Sequence, residues 1–101
     1  MDIELAGKQL EALGNPTRLA IFRFLVKEEA NGCSVGEIRA NLDIPASTLS
    51  HHIAKLVNTG LLSQVRDSRS LVCSVDHDSM DELMEFLVNN CCTEDWYIQP
   101  D

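Results

Sequence analysis

Residues 45–62 read PASTLSHHIAKLVNTGLL, and the fold turns on this stretch. On a helix that advances about 100° per residue, Leu49, Ile53 and Leu56 share one face, with Val57 at its edge. Ser47, Thr48, His51, Lys55 and Asn58 point the other way. That outward face is hydroxyl, imidazole, amide and one ammonium, and no carboxylate occurs between Pro45 and Leu62. Gly60 marks the stop. Short donors and acceptors of this kind can reach base edges in a major groove while an ammonium meets phosphate. An ordinary amphipathic surface helix carries the same pattern, so the neighbouring segments must distinguish the two.

Immediately upstream, Ser34 and Glu37 have the spacing of a capping box. The short helix they open turns Val35, Ile38 and Leu42 inward and Arg39 outward. Asp43-Ile44-Pro45 then makes a tight connection, and two helices so joined, the second polar outside, spell a helix-turn-helix. Downstream, Leu61–Val65 reads as a strand, Arg66-Asp67-Ser68-Arg69 as a polar turn and Ser70–Val75 as the returning strand. This hairpin is a wing with Arg66 and Arg69 near its tip, where such residues commonly touch phosphates or a minor groove. A solvated turn is the alternative for each arginine.

Further out, Ile3, Ala6, Leu10 and Leu13 fall at helical spacing, so a short amphipathic helix opens the chain and Gly14 ends it. Asn15-Pro16 caps and starts the next helix. Its run from Thr17 to Val26 is apolar nearly all round except at Arg18 and Arg23, which predicts a central core helix. The last helix is expected from about Asp78 to Cys92. Met80, Leu83, Met84, Leu87, Val88 and Cys91 form its apolar stripe, with Asp81, Glu82 and Glu85 opposite. A stripe of that length, together with the short first helix, suits pairing with a second copy.

The 101 residues carry a net charge of −8, which at first argues against a nucleic-acid partner. The acids are unevenly placed. Residues 46–75 hold Lys55, Arg66 and Arg69 against Asp67 alone, whereas residues 76–101 hold eight acids and no lysine or arginine. The recognition segment is thus the positive third. No apolar run approaches the ~20 residues of a membrane span, and MDIELAGKQL lacks the positive charge and apolar core of a signal peptide. The expectation is a cytoplasmic protein without membrane association, whose four cysteines serve as thiols, ligands or sensors. No nucleophile, base and orienting group converge, so an enzyme is not expected.

With these elements assembled, the chain resembles the ArsR/SmtB family of bacterial winged-helix repressors. LGNPTRLAIFRFLV is similar to that family's second helix with its Leu-x-x-Pro-Thr-Arg opening, and STLSHHIAKLVNTGLL to its recognition helix. The resemblance implies a homodimer that binds double-stranded operator DNA, needs no cofactor to do so, and leaves when a thiophilic metal or metalloid binds. The family's third-helix arsenic site falls on Ser34-Val35-Gly36-Glu37-Ile38, where both thiols are missing; Cys33 lies one residue before it and is not equivalent. The zinc site of the last helix finds only Asp76-His77-Asp78 and no matching later set. Asn90-Cys91-Cys92 resembles an arsenic-responsive subgroup with vicinal cysteines at this position. Trivalent arsenic prefers thiolate and commonly takes three sulfurs. The third ligand is open among Cys33, Cys73, a partner thiol and an exogenous group.

The expected architecture is mainly α with a small β-hairpin: a winged helix-turn-helix over residues 1–92, dimeric through its first and last helices, then a short acidic tail at 93–101. Ser47, Thr48, Ser50, His51 and Lys55 face DNA, with Arg66 and Arg69 from the wing. Cys91 and Cys92 bind As(III) or Sb(III) as the effector. Two alternatives stay open: a redox or reactive-sulfur switch at the same cysteines, and a winged helix used as a protein-interaction module. Cys73, alternating with Leu71 and Val75, suits packing. Cys33 precedes a helix start, where a thiol pKa can fall, but a plain loop cysteine is the better fit. His52 is a packing or capping residue, and Trp96 and Tyr97 either cover the cysteines or form a loose tail.

Overall fold

The computed structural model describes residues 1–28 and 32–89. In chain order the elements are α1 (Ile3–Leu13), α2 (Pro16–Lys27), β1 (Cys33–Ser34), α3 (Val35–Leu42), α4 (Ala46–Asn58), β2 (Leu62–Asp67), β3 (Ser70–Val75) and α5 (His77–Val88). Local chemistry sets most helix starts. The Asp2 carboxylate accepts from the Leu5 N–H at 2.8 Å, and the Asn15 side-chain Oδ1 from the Thr17 and Arg18 N–H groups at 2.9 and 3.0 Å. Both bonds of the Ser34–Glu37 capping box form, and Asp76 accepts from the Ser79 N–H at the start of α5.

One core joins the elements. Ile21 and Leu25 of α2, Ile38 of α3, Leu49, Ile53 and Leu56 of α4, and Leu61 before β2 are all essentially inaccessible. The sheet is antiparallel in the order β1-β3-β2, with Leu62 opposite Val75 and Asp67 opposite Ser70. β1 is an addition to the expected hairpin; its two residues pair with β3, Cys33 opposite Cys73 and Ser34 opposite Val72. The wing turn is also tighter than expected. Arg66 and Asp67 remain in β2, leaving Ser68 and Arg69 as the turn, with Ser68 at φ 64°.

Two helices depart from their expected faces and a third from its expected end. α1 buries Ala6, Gln9 and Ala12, while Ile3 (73% exposed) and Leu10 (42%) lie outside. Gln9 is 1% exposed; its amide N–H donates to the Thr59 carbonyl at 2.8 Å, and its Oε1 has no partner among the described residues. In α2, Ile21, Phe22 and Leu25 are buried, but Leu19 and Ala20 are exposed, so that helix packs on one side rather than all round. α5 closes at Asn89, whose φ −64° and ψ 137° are extended, short of the predicted end at Cys92. Of its stripe Leu83 is buried and Met80 half-buried, whereas Met84, Leu87 and Val88 are exposed. Cys91, Cys92, Trp96, Tyr97 and the tail at 93–101 lie outside the described residues. No described helix is long and apolar enough to cross a membrane.

Candidate nucleic-acid interface

The helix-turn-helix is made by one left-handed residue. Asp43, at φ 54° and ψ 51°, closes α3 with its N–H donated to the Arg39 carbonyl at 2.8 Å. Aspartate tolerates this conformation better than most residues. Pro45 then enters α4 at φ −59° and offers no side-chain cap. The first-turn N–H groups of α4 are therefore left to water or to a phosphate oxygen, which the positive end of the helix dipole also favours. That feature escaped the sequence reading, although proline at the cap position was its signal.

The far end of α4 is closed by a Schellman motif. Gly60, at φ 83°, donates to the Val57 carbonyl at 3.0 Å, and Leu61 to the Leu56 carbonyl at 3.1 Å. Leu56 and Leu61 are both fully buried beneath it. With Leu49, Ile53 and Leu56 locked into the core, the outer face is fixed: Ser47, Thr48, Ser50, His51 and Lys55 are all exposed. Ser47 and His51 form the crest. Ser50 turns toward the wing, where it lines a crevice of about 180 Å³ with Val35, Ile53, Ala54, Gln64 and Leu71. Lys55 lies on the opposite flank, its Nζ 3.8 Å from Glu11 Oε1 at the end of α1. Both side chains are solvated, so this pair is weak and a phosphate can displace the carboxylate.

α4 packs against β2, which sets the wing beside the recognition helix. Arg66, opposite Leu71, and Arg69, in the turn, are both exposed and make no ion pair among the described residues. All seven expected DNA-facing side chains therefore lie accessible on α4 and the adjacent wing. Asn58, on the same outward face, is exposed as well.

Beneath α4, Arg18 binds two elements at once. Its Nε–H donates to the Ala12 carbonyl at 2.7 Å and its Nη1 lies 3.3 Å from His52 Nδ1. A guanidinium can only donate, so Nδ1 accepts and the neutral imidazole carries its proton on Nε2. Burial, then the charges of Arg18 and His51, push the His52 pKa below its ordinary value. His52 is thus the packing residue expected. Cys33 and Cys73 are buried free thiols, and burial raises both pKa values. For Cys33 the carboxylates of Glu37 and Glu28 add to the rise, opposite to the lowering a helix start can produce. Cys73 accepts a 3.6 Å hydrogen bond from the Gln64 amide. Among the described residues no group of three or more His, Cys, Asp or Glu side chains could hold a metal ion.

Comparison with known proteins agrees with this geometry. A family model described as a helix-turn-helix domain matches residues 13–65. Nodulation protein NolR of Rhizobium meliloti is 37% identical over 79 residues, which cover 78% of this chain and 62% of that protein. The HTH-type transcriptional regulator YgaV of Escherichia coli (strain K12) is 29% identical over 89 residues, 88% of each chain. An ArsR-like transcriptional regulator from Rhodococcus sp. RHA1 superposes with a TM-score of 0.74 over 83% of this chain and 76% of its own; at 18% identity it speaks for the fold. A left-handed turn between two short helices, an acid-free outer face on the second, a basic wing beside it and these matches place the chain in the ArsR family of winged helix-turn-helix transcriptional regulators.

Proposed function

We propose that the protein is a dimeric repressor that reads operator DNA with α4 and leaves it when trivalent arsenic or antimony binds Cys91 and Cys92. The observation that carries the DNA half is the composition of the exposed face of α4. Five short or cationic side chains stand on it with no carboxylate among them, in a chain whose net charge is −8. Ser47, Thr48, Ser50 and His51 reach base edges and adjacent phosphates; Lys55, Arg66 and Arg69 neutralise phosphate. Pairing of two copies is supported by apolar side chains exposed on both outer helices, Ile3 and Leu10 of α1 and Met84 of α5, and by the packing of α1 against α5. A dimer sets the separation of two recognition helices, which must match half-sites about one DNA turn apart.

The effector half rests on the chemistry of two adjacent soft thiols that follow α5, one of the two helices assigned to the dimer face. Metalloid ligation there would move α5, and with it the spacing of the two α4 helices. A redox or reactive-sulfur effector at the same pair is the second reading, favoured by the same two thiols. Fluorescence anisotropy decides among these. A labelled duplex from upstream of the coding sequence is titrated with protein and then with arsenite. Release by arsenite, lost in the Cys91→Ser, Cys92→Ser variant, supports the whole proposal. Tight binding that ignores arsenite but yields to peroxide or persulfide moves the effector to the second reading. Failure to bind DNA even at low salt overturns the repressor and favours a protein-interaction module.

A further inference from the structure

Cys33 and Cys73 were separate residues in the sequence, forty positions apart; the sheet sets them face to face. Cys33 of β1 is the antiparallel partner of Cys73 in β3. Directly opposed residues of an antiparallel pair point to the same face of the sheet, with Cα atoms about 4.5–5.5 Å apart. A disulfide spans Cα separations of about 4.4–6.8 Å, so this pairing lies within reach of one. Both thiols are free, Cys73 fully buried and Cys33 7% exposed. The register has little freedom to slip. Gly32 sits at φ 80°, and a Cβ there would come within 2.7 Å of the Cys73 carbonyl oxygen. On the other side, Ser34 is held by its capping box with Glu37.

We propose that Cys33 and Cys73 form a redox-active dithiol, which a small two-electron oxidant of the peroxide class converts into a cross-strand disulfide. Cys33, the more accessible sulfur, attacks one oxygen of hydrogen peroxide as thiolate. The O–O bond breaks, the sulfur becomes a sulfenic acid, and the departing oxygen leaves as water with the thiol proton. Cys73 then attacks the Cys33 sulfur; the S–S bond forms and the sulfenic oxygen leaves with the Cys73 proton as a second water. Two thiols lose two electrons and two protons, and one peroxide becomes two waters.

The surroundings give this pair a definite character. Burial and the nearby Glu37 and Glu28 carboxylates keep the thiolate fraction low, so oxidation is slow near neutrality and quickens as pH rises. The opposed sulfur captures the sulfenic acid before further oxidation. The new bond closes a ring running from residue 33 to residue 73, which encloses α3, the Asp43 turn, α4 and β2. That ring holds the whole recognition helix and one wing strand. Its formation therefore restrains the unfolding of the DNA-reading unit itself. The site is distinct from Cys91 and Cys92 and does not depend on the effector assigned to them.

The test uses the full chain carrying Cys91→Ser and Cys92→Ser, exposed to hydrogen peroxide at mildly alkaline pH, then alkylated and mapped. Cleavage after arginine and at aspartate puts Cys33 and Cys73 on separate fragments and frees Cys73 from residues 91 and 92. The expected product is a Cys33–Cys73 linked pair two hydrogens lighter than its parts, within one protomer. Its melting temperature should rise by roughly 10 °C or more and return when dithiothreitol is added. In a Cys33→Ser background the oxidant should leave the melting temperature where it was. Recovery of both thiols in alkylatable form, sulfinic acid on one of them, or links only between protomers would overturn the proposal. Should the double-serine variant fail to fold, the same two-step digestion of the wild-type chain separates a Cys33–Cys73 link from any link to Cys91 or Cys92.

Discussion

The recognition helix α4 and the last helix α5 are nearly equal in length, 13 and 12 residues, and each leaves one long face outside the protomer. Their anchoring differs. α4 drives Leu49, Ile53 and Leu56 to between 0 and 2% exposure, whereas α5 fully buries only Leu83 and leaves Met84 59% exposed. Their outer charge differs too. α4 presents hydroxyls, an imidazole and an ammonium, while α5 presents Asp78, Asp81, Glu82 and Glu85. A helix whose orientation is fixed by its own core can hold side chains to the tolerance that base edges demand. A helix with apolar and acidic residues outside is matched to another protein surface and repelled by a polyanion.

The contrast can be broken by mutation. Leu56→Ala removes a fully buried side chain under the Schellman motif and should cost about 2–5 kcal/mol in urea unfolding. Met84→Glu should leave protomer unfolding nearly unchanged while shifting sedimentation toward monomer. Loss of the second reading head should then lower operator affinity by about tenfold or more. If Met84→Glu destabilises the fold as much as Leu56→Ala does, the two helices are anchored alike and the distinction fails.

Acid sharpens the anchoring of α4 further. His52 has a folded pKa below its ordinary value near 6.5, so its contribution to stability is present above that value and is lost as pH falls through the folded pKa. Urea midpoints should therefore drop between pH of about 7.5 and about 5. The drop should shrink in His52→Asn, which retains an acceptor toward Arg18. An unchanged drop would assign the acid sensitivity elsewhere. The smallest effects concern Lys55. Lys55→Ala should weaken binding to all duplexes alike and reduce the salt slope by about one. Glu11→Gln, which releases Lys55 from its solvated ion pair, should raise affinity a few-fold at low salt. Sequence-selective loss in Lys55→Ala would make Lys55 a base reader.

What the sequence disclosed about this fold was local. Asn15-Pro16, the Ser34–Glu37 box and Gly60 each state their role within a few residues, and each is found in that role, while the acid-free face of α4 is exposed as its periodicity predicts. The misread features depend on partners distant in the chain. β1 is two residues long and exists only because β3, forty positions later, pairs with it. The periodicity of α1 phases its face on Ile3, Ala6, Leu10 and Leu13; Ala6 and Leu13 do meet the core, but Gln9 and Ala12 take the place of Ile3 and Leu10, since small side chains and an amide bonded to Thr59 let α1 approach α2 and α4. An apolar residue committed to a second copy looks, in one sequence, like one committed to the core. In the sequence Arg18 only interrupts the apolar run of α2; its service to Ala12 and His52 needs three helices in place.

The bond from Gln9 to Thr59 has a mechanical meaning. It fastens α1, a helix of the proposed dimer face, to the trailing end of α4, while Ser47 and Thr48 ride at the leading end. Thirteen residues of α-helix make an arm about 20 Å long, so a tilt of about 5° at the fastened end sweeps the leading end through roughly 2 Å. That is more than half the 3.4 Å rise between base pairs. An amide kept in the core, its oxygen without a partner among the described residues, works as the pin of a lever: in the proposed dimer, small rotations between protomers would become errors of register on the DNA.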